Sequence, residues 1–166
     1  MDHGLLPDEL VALARRVVEE NRAAGRKVVL AESCTGGLVA AALTEIPGSS
    51  AVLERGFVTY SNEAKMESLG VAEDIIETFG AVSIACVWAM AQGALARSQA
   101  DIAVAISGVA GPEGGTELKP VGTVVFATAR RGAEGEPDGE LKHFDGKDRA
   151  QIRRQATLWA LELLLP

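Results

Sequence analysis

Between residues 31 and 37 the chain reads Ala31-Glu32-Ser33-Cys34-Thr35-Gly36-Gly37, directly after the apolar run Val28-Val29-Leu30. A serine at a strand-to-helix junction sits where the first amides of the helix have no intrahelical acceptor. Such amides stabilise negative charge, so the junction can hold a phosphate or an oxyanion. Gly36 and Gly37 allow a ligand or a second backbone to approach closely, which makes Thr35, Gly36 and Gly37 candidate substrate-binding positions beside Ser33. The plainer alternative is that Ser33 and Thr35 are helix caps and the glycines pack. The stretch is neither a P-loop, because no lysine follows the glycines, nor a G-x-S-x-G elbow.

If Ser33 is a nucleophile it needs a base. The chain has two histidines, His3 near the start and His143 far along the sequence. A Ser-His-Asp arrangement has little to draw on, and a Cys/His metal site less, so no metal is expected. A lysine is the better candidate base, since a desolvated lysine can lose its proton near neutral pH. Lys65, one of only five lysines, lies in Tyr60-Ser61-Asn62-Glu63-Ala64-Lys65, after a strand end and on a short helix. A solvated surface lysine is the ordinary alternative.

Two further segments bear on binding. Ser107-Gly108-Val109-Ala110-Gly111-Pro112-Glu113-Gly114-Gly115 follows the apolar run Ile102–Ile106. Ligands in α/β sheets bind beyond strand carboxyl ends, and glycine-rich loops offer free amides to anions. Ser107, Gly108 and Gly111 are therefore candidate ligand contacts. Arg149 opens the last helix and can grip a phosphate through two N–H groups. Arg153 is one turn on along the same face and reads equally well as a solvated charge, and Arg154 more so.

The elements that carry these groups follow from periodicity. The pattern predicts a helix over 7–24 with Leu10, Leu13, Ala14, Val17 and Val18 on one face, and a buried strand over 28–31. A helix from about Thr35 to Ile46 follows, then a strand over 57–60 and a short helix over 62–69. Ser83 caps a long helix reaching about Ser98. Strands over 102–106 and 123–129, a polar hairpin connection, a return over 141–144 and an amphipathic helix over 149–165 complete the chain. Helices alternate with apolar strands, with one hairpin late. The class is α/β: one three-layer α/β/α domain spanning 1–166, with a mixed, mostly parallel sheet.

Composition narrows the setting. A hydrophobic share of 48% supports a sizeable core, and 4% aromatics mean that it is built from Ala, Val, Ile and Leu. A net charge of -7 argues against a nucleic-acid-coating protein but leaves room for a small anionic ligand where positive groups converge. Two cysteines, Cys34 and Cys86, are too few for a disulfide scaffold. Met1–Pro7 lacks the basic-then-apolar order of a signal peptide, and no uncharged run reaches membrane length. A cytoplasmic protein is expected; homo-oligomerisation is left open.

Taken together, AESCTGG at 31–37, GFVTYSNEAK at 56–65, GAVS at 80–83, SGVAGPEGG at 107–115, KPVGTV at 119–124 and FDGKDRAQIR at 144–153 resemble the C-terminal domain family of the competence/damage-inducible CinA proteins. Stand-alone members of that family are nicotinamide-nucleotide amidohydrolases. The resemblance implies hydrolysis of the carboxamide of nicotinamide mononucleotide to nicotinate mononucleotide and ammonia, without metal or cofactor. It implies Ser33 as nucleophile, Lys65 as general base and Tyr60 as a helper in the hydroxyl network. The Ser107–Gly111 loop and Arg149 become substrate contacts, and amides at the start of the Thr35 helix hold the oxyanion. Where the family loop often begins with Thr, this chain has Ser107, which keeps the hydroxyl. Any activity of the N-terminal domain of longer members is expected to be missing. Two alternatives remain at this point: an amidase that uses Cys34, and a nucleotide-binding regulatory module in which Ser33 only caps and binds phosphate.

Overall fold

The computed structural model describes residues 4–146 and 148–166; His3 and Lys147 of the motifs above lie outside the described residues. The elements run α1 (Asp8–Ala24), β1 (Val28–Glu32), α2 (Leu38–Thr44), β2 (Leu53–Val58), α3 (Asn62–Leu69), α4 (Glu73–Phe79), α5 (Ile84–Ala96), β3 (Ile102–Gly108), β4 (Thr123–Arg130), β5 (Asp138–His143) and α6 (Arg149–Leu163). The five strands form one sheet in the order β2-β1-β3-β4-β5. The β2-β1 and β1-β3 pairs are parallel, while β3-β4 and β4-β5 are antiparallel. The expected α/β class and mixed sheet are borne out.

Strand alternation builds two cores. Val28 and Leu30 of β1, Ile102, Val104 and Ile106 of β3, and Val124 and Phe126 of β4 face α1, α2 and α6. Val29, Ala31, Ala103, Ala105, Val125 and Ala127 face α5 on the other side. Central strands covered on both faces read as unbroken apolar runs, which is why β1, β3 and β4 stand out in the sequence.

The boundaries that moved have physical causes. The helix expected from Thr35 starts at Leu38, because Gly36 and Gly37 adopt φ of 60° and 99°, outside helical space. The strand expected over 57–60 is β2, Leu53–Val58, an edge strand whose Glu54-Arg55-Gly56 centre breaks the apolar signal. α4 has no fully buried residue, and its Ile75 and Ile76 pack only partly against the α5-side core, so its seven residues give too short a stripe to predict a helix. α3 matches its expected bounds. Ser61 accepts the Ala64 amide at 3.0 Å and Gly70 closes the far end in the left-handed region. α3 docks where a Cβ on Gly93 of α5 would come within 2.0 Å of the Leu69 carbonyl oxygen, so only glycine permits that approach.

Candidate active site

β1 and β3 end side by side, and the chemistry collects at their carboxyl ends. Ser33 follows β1 directly, and its amide donates to the Ile106 carbonyl at 3.0 Å, which fixes it to the central strand. The side chain is buried, with 7% of the residue exposed.

Lys65 reaches Ser33 from α3, across the mouth of the sheet. It is 1% exposed, and its Nζ lies 3.0 Å from Ser33 Oγ, 2.8 Å from the Thr59 carbonyl oxygen and 3.2 Å from that of Tyr60. Burial pushes the Lys65 ammonium below its ordinary pKa, opposed by the nearby Cys86 and Cys34. Two carbonyls can only accept, so they take two hydrogens of the amine. A neutral amine then has its lone pair left for Ser33 Oγ–H, and an ammonium has its third hydrogen for Ser33 Oγ. The same position serves both protonation states.

Arg149, at the start of α6, donates from one terminal nitrogen to the Gly111 carbonyl at 2.8 Å and from the other to Tyr60 Oη at 2.6 Å. It thus ties the glycine loop to the segment that leads into α3. Ser33, Tyr60, Lys65, Ser107, Gly108, Gly111 and Arg149 all line one cleft of about 280 Å³. A larger hollow of about 410 Å³ sits at the opposite end of the sheet beneath the hairpin connection, and none of these groups lines it.

Three of the expected substrate contacts are not part of the cleft wall. Thr35 is fully buried and its hydroxyl donates to Glu32 Oε1 at 2.6 Å. Gly36 lies against the Arg153 guanidinium and Gly37 against Val58. The oxyanion site expected at the helix start also needs correction: the amides of Val39 and Ala40 donate to the Glu32 carboxylate at 3.0 and 3.1 Å. The junction's positive end is therefore already occupied by an internal anion.

Glu32 was overlooked in sequence because a carboxylate closing an apolar strand reads as its solvated end. The available signal was its position next to Ser33, three residues before a threonine. Asn62 and Glu113 also line the cleft without having been singled out. Arg153 is no solvated charge: it donates to the carbonyls of Cys34 and Thr35 at 3.0 and 3.2 Å. Arg154 pairs with Glu9 at the surface. Burial pushes the Cys34 thiol up to about 11, which leaves it protonated and a poor nucleophile at neutral pH. Among the described residues no cluster of three or more His, Cys, Asp or Glu is placed to hold a metal ion.

A three-layer α/β/α domain with a serine and a buried lysine facing each other at the strand ends has the form of a small hydrolase. The chain belongs to the CinA C-terminal domain family, whose model matches residues 10–166. It is 54% identical over 156 residues to the nicotinamide-nucleotide amidohydrolase PncC of Escherichia coli strain K12, covering 94% of this chain and 93% of that protein. To the protein of the same name from Pseudomonas putida it is 49% identical, covering 95% and 96%. The crystal structure of the competence/damage inducible protein CihA from Agrobacterium tumefaciens superposes with a TM-score of 0.92 at 48% identity, over 98% of this chain and 97% of that one.

Proposed function

We propose that the protein hydrolyses the carboxamide of nicotinamide mononucleotide to nicotinate mononucleotide and ammonia, with Ser33 as nucleophile and Lys65 as general base. The identity to named amidohydrolases over nearly the full chain supports the reaction. The observation that carries the mechanism is the 3.0 Å approach of a buried lysine amine to a buried serine hydroxyl.

Neutral Lys65 takes the proton of Ser33 as Oγ bonds to the amide carbon. The C–N bond then breaks, and the departing nitrogen takes that proton and leaves as ammonia. Water attacks the resulting ester, passes a proton through Lys65 to Ser33 Oγ, and releases the carboxylic acid. Proton transfer of this kind is typically worth about 10²–10⁴-fold. The oxyanion falls to the remaining amides of the 33–37 turn, Cys34 first because it lines the cleft. Arg149 faces the substrate phosphate, with Ser107, Gly108 and Gly111 along the nucleotide and Tyr60 in the hydroxyl network. The working environment is cytoplasmic, a setting that suits the two unpaired, buried thiols.

Ammonia release from a panel of pyridine compounds tests the reading. Nicotinamide mononucleotide should be turned over and free nicotinamide, which lacks the phosphate, much more slowly. Ser33→Ala should be inactive. Equal rates on both compounds, or an active Ser33→Ala protein, would overturn it.

A further inference from the structure

Glu32 is a carboxylate with 1% of its surface exposed, immediately before Ser33. Among the described residues no cation stands within ion-pair distance of it. A buried charge in that position is costly unless its oxygens are hydrogen-bonded. Its partners lie within and beyond the Ser33 turn: Thr35 Oγ1 and the Val39 amide on one oxygen, the Ala40 amide on the other. The end of β1 is thereby bonded to the start of α2 across a loop that contains two glycines at positive φ. Such glycines place little restraint of their own on the loop. Arg153 grips the same loop by the Cys34 and Thr35 carbonyls, and the backbone of Ser33 is tied by its amide to the Ile106 carbonyl and by its carbonyl to the Gly36 amide within the turn.

We infer that Glu32 is a positioning residue of the reaction: through Thr35 and the first amides of α2 it holds the 33–37 turn so that Ser33 Oγ stays within reach of Lys65 Nζ. It touches no substrate, since it is absent from the cleft wall. The inference rests on Ser33 and Lys65 forming the reacting pair. Misplacement of a nucleophile by about an ångström is enough to cost on the order of 10²-fold in rate.

The test compares Glu32→Gln, Thr35→Val and Thr35→Ser with wild type on nicotinamide mononucleotide. Glutamine keeps the size but sets its amide donor against the Ala40 or Val39 N–H. Valine keeps the shape of threonine but removes the hydroxyl donor. Glu32→Gln should lower kcat roughly 10–100-fold per folded molecule, with KM within about twofold, because the turn moves while the binding wall does not. Thr35→Val should lower kcat in the same manner but less, Thr35→Ser should recover most of that loss, and Glu32→Gln/Thr35→Val should be scarcely worse than Glu32→Gln. The rate of Ser33 sulfonylation by phenylmethanesulfonyl fluoride should fall in parallel, a readout independent of the substrate. If Glu32→Gln fails to fold, Thr35→Val carries the test, since it leaves the carboxylate in place.

A folded Glu32→Gln protein with unchanged kcat and unchanged sulfonylation, however much its melting temperature drops, would overturn the inference and leave Glu32 a structural cap. A rise in KM at constant kcat would also overturn it. Activity remaining in Ser33→Ala would instead bring down the mechanism itself, whatever Glu32 does.

Discussion

Replacing Lys65 by methionine separates the chemical role of the amine from its role in the fold. Methionine fills nearly the same slot but carries no proton. Turnover of nicotinamide mononucleotide should fall by about 10²–10⁴-fold, the usual contribution of a positioned base. Stability should not follow. The change strands the buried Thr59 carbonyl, now bonded to Nζ at 2.8 Å, at a cost of about 1–3 kcal/mol. The Tyr60 carbonyl belongs to an exposed residue and can turn to water. Against this stands the relief of a buried amine, so the variant should lie within about 2 kcal/mol of wild type at pH 7. The pH dependence carries the sharper sign. Burial holds the folded lysine below its ordinary pKa, so the unfolded chain binds more protons in the window between the two values. Raising the pH through that window stabilises wild type by up to about 1.4 kcal/mol per pH unit, until the unfolded value near 10.4 is passed. The methionine protein has no such contribution, so wild type should gain on it steadily toward alkaline pH. Urea unfolding followed by tryptophan fluorescence at several values from pH 7 to 10 measures this directly. If the two stability curves run parallel, the amine is charged throughout and cannot serve as the base.

Arg149→Ala should raise KM for the nucleotide roughly 10–100-fold, the range of one charge-assisted contact, and Arg149→Lys should recover only part, with steady-state ammonia release as the assay; an unchanged KM would remove Arg149 from the phosphate. Gly93→Ala should cost about 3 kcal/mol or more, measured as a shifted urea midpoint, because the added methyl meets the Leu69 carbonyl at 2.0 Å and α3 must retreat; an unshifted midpoint would contradict the close approach. Cys34→Ala should keep turnover within a few-fold while Ser33→Ala loses it, and iodoacetamide should label Cys34 slowly at pH 7; the reverse ranking of the two variants would make the thiol the nucleophile. Exhaustive EDTA treatment should leave the rate intact, and loss restored by a divalent ion would point to a metal in the site.

The parts of this fold legible in sequence are those with strong periodic or punctuating signals. β1, β3 and β4 each carry an apolar run because both faces are covered, and α3 announces itself through Ser61 and Gly70. β2 lies at the edge, where its polar centre breaks the alternation, and α4 is a seven-residue surface helix whose partly buried Ile75 and Ile76 span barely one turn, so sequence shifts the first and does not show the second. In the site, residue types placed Ser33, Lys65 and Arg149 near chemistry, yet only tertiary packing brings a lysine 32 positions away to the serine. Thr35 and the helix start were misjudged because sequence shows a helix terminus as vacant. Whether a side chain from the preceding strand has folded back to fill it depends on one rotamer of Glu32.

Ser33 comes from the central sheet, Lys65 from a helix on the α5 side and Arg149 from α6 on the opposite side. Neither layer of the sandwich, folded alone, brings these three side chains together. During refolding, ammonia release should return only with the slower of the two faces, and a half-ordered chain should be silent rather than weakly active. Catalysis is thereby tied to the ordering of the whole sandwich.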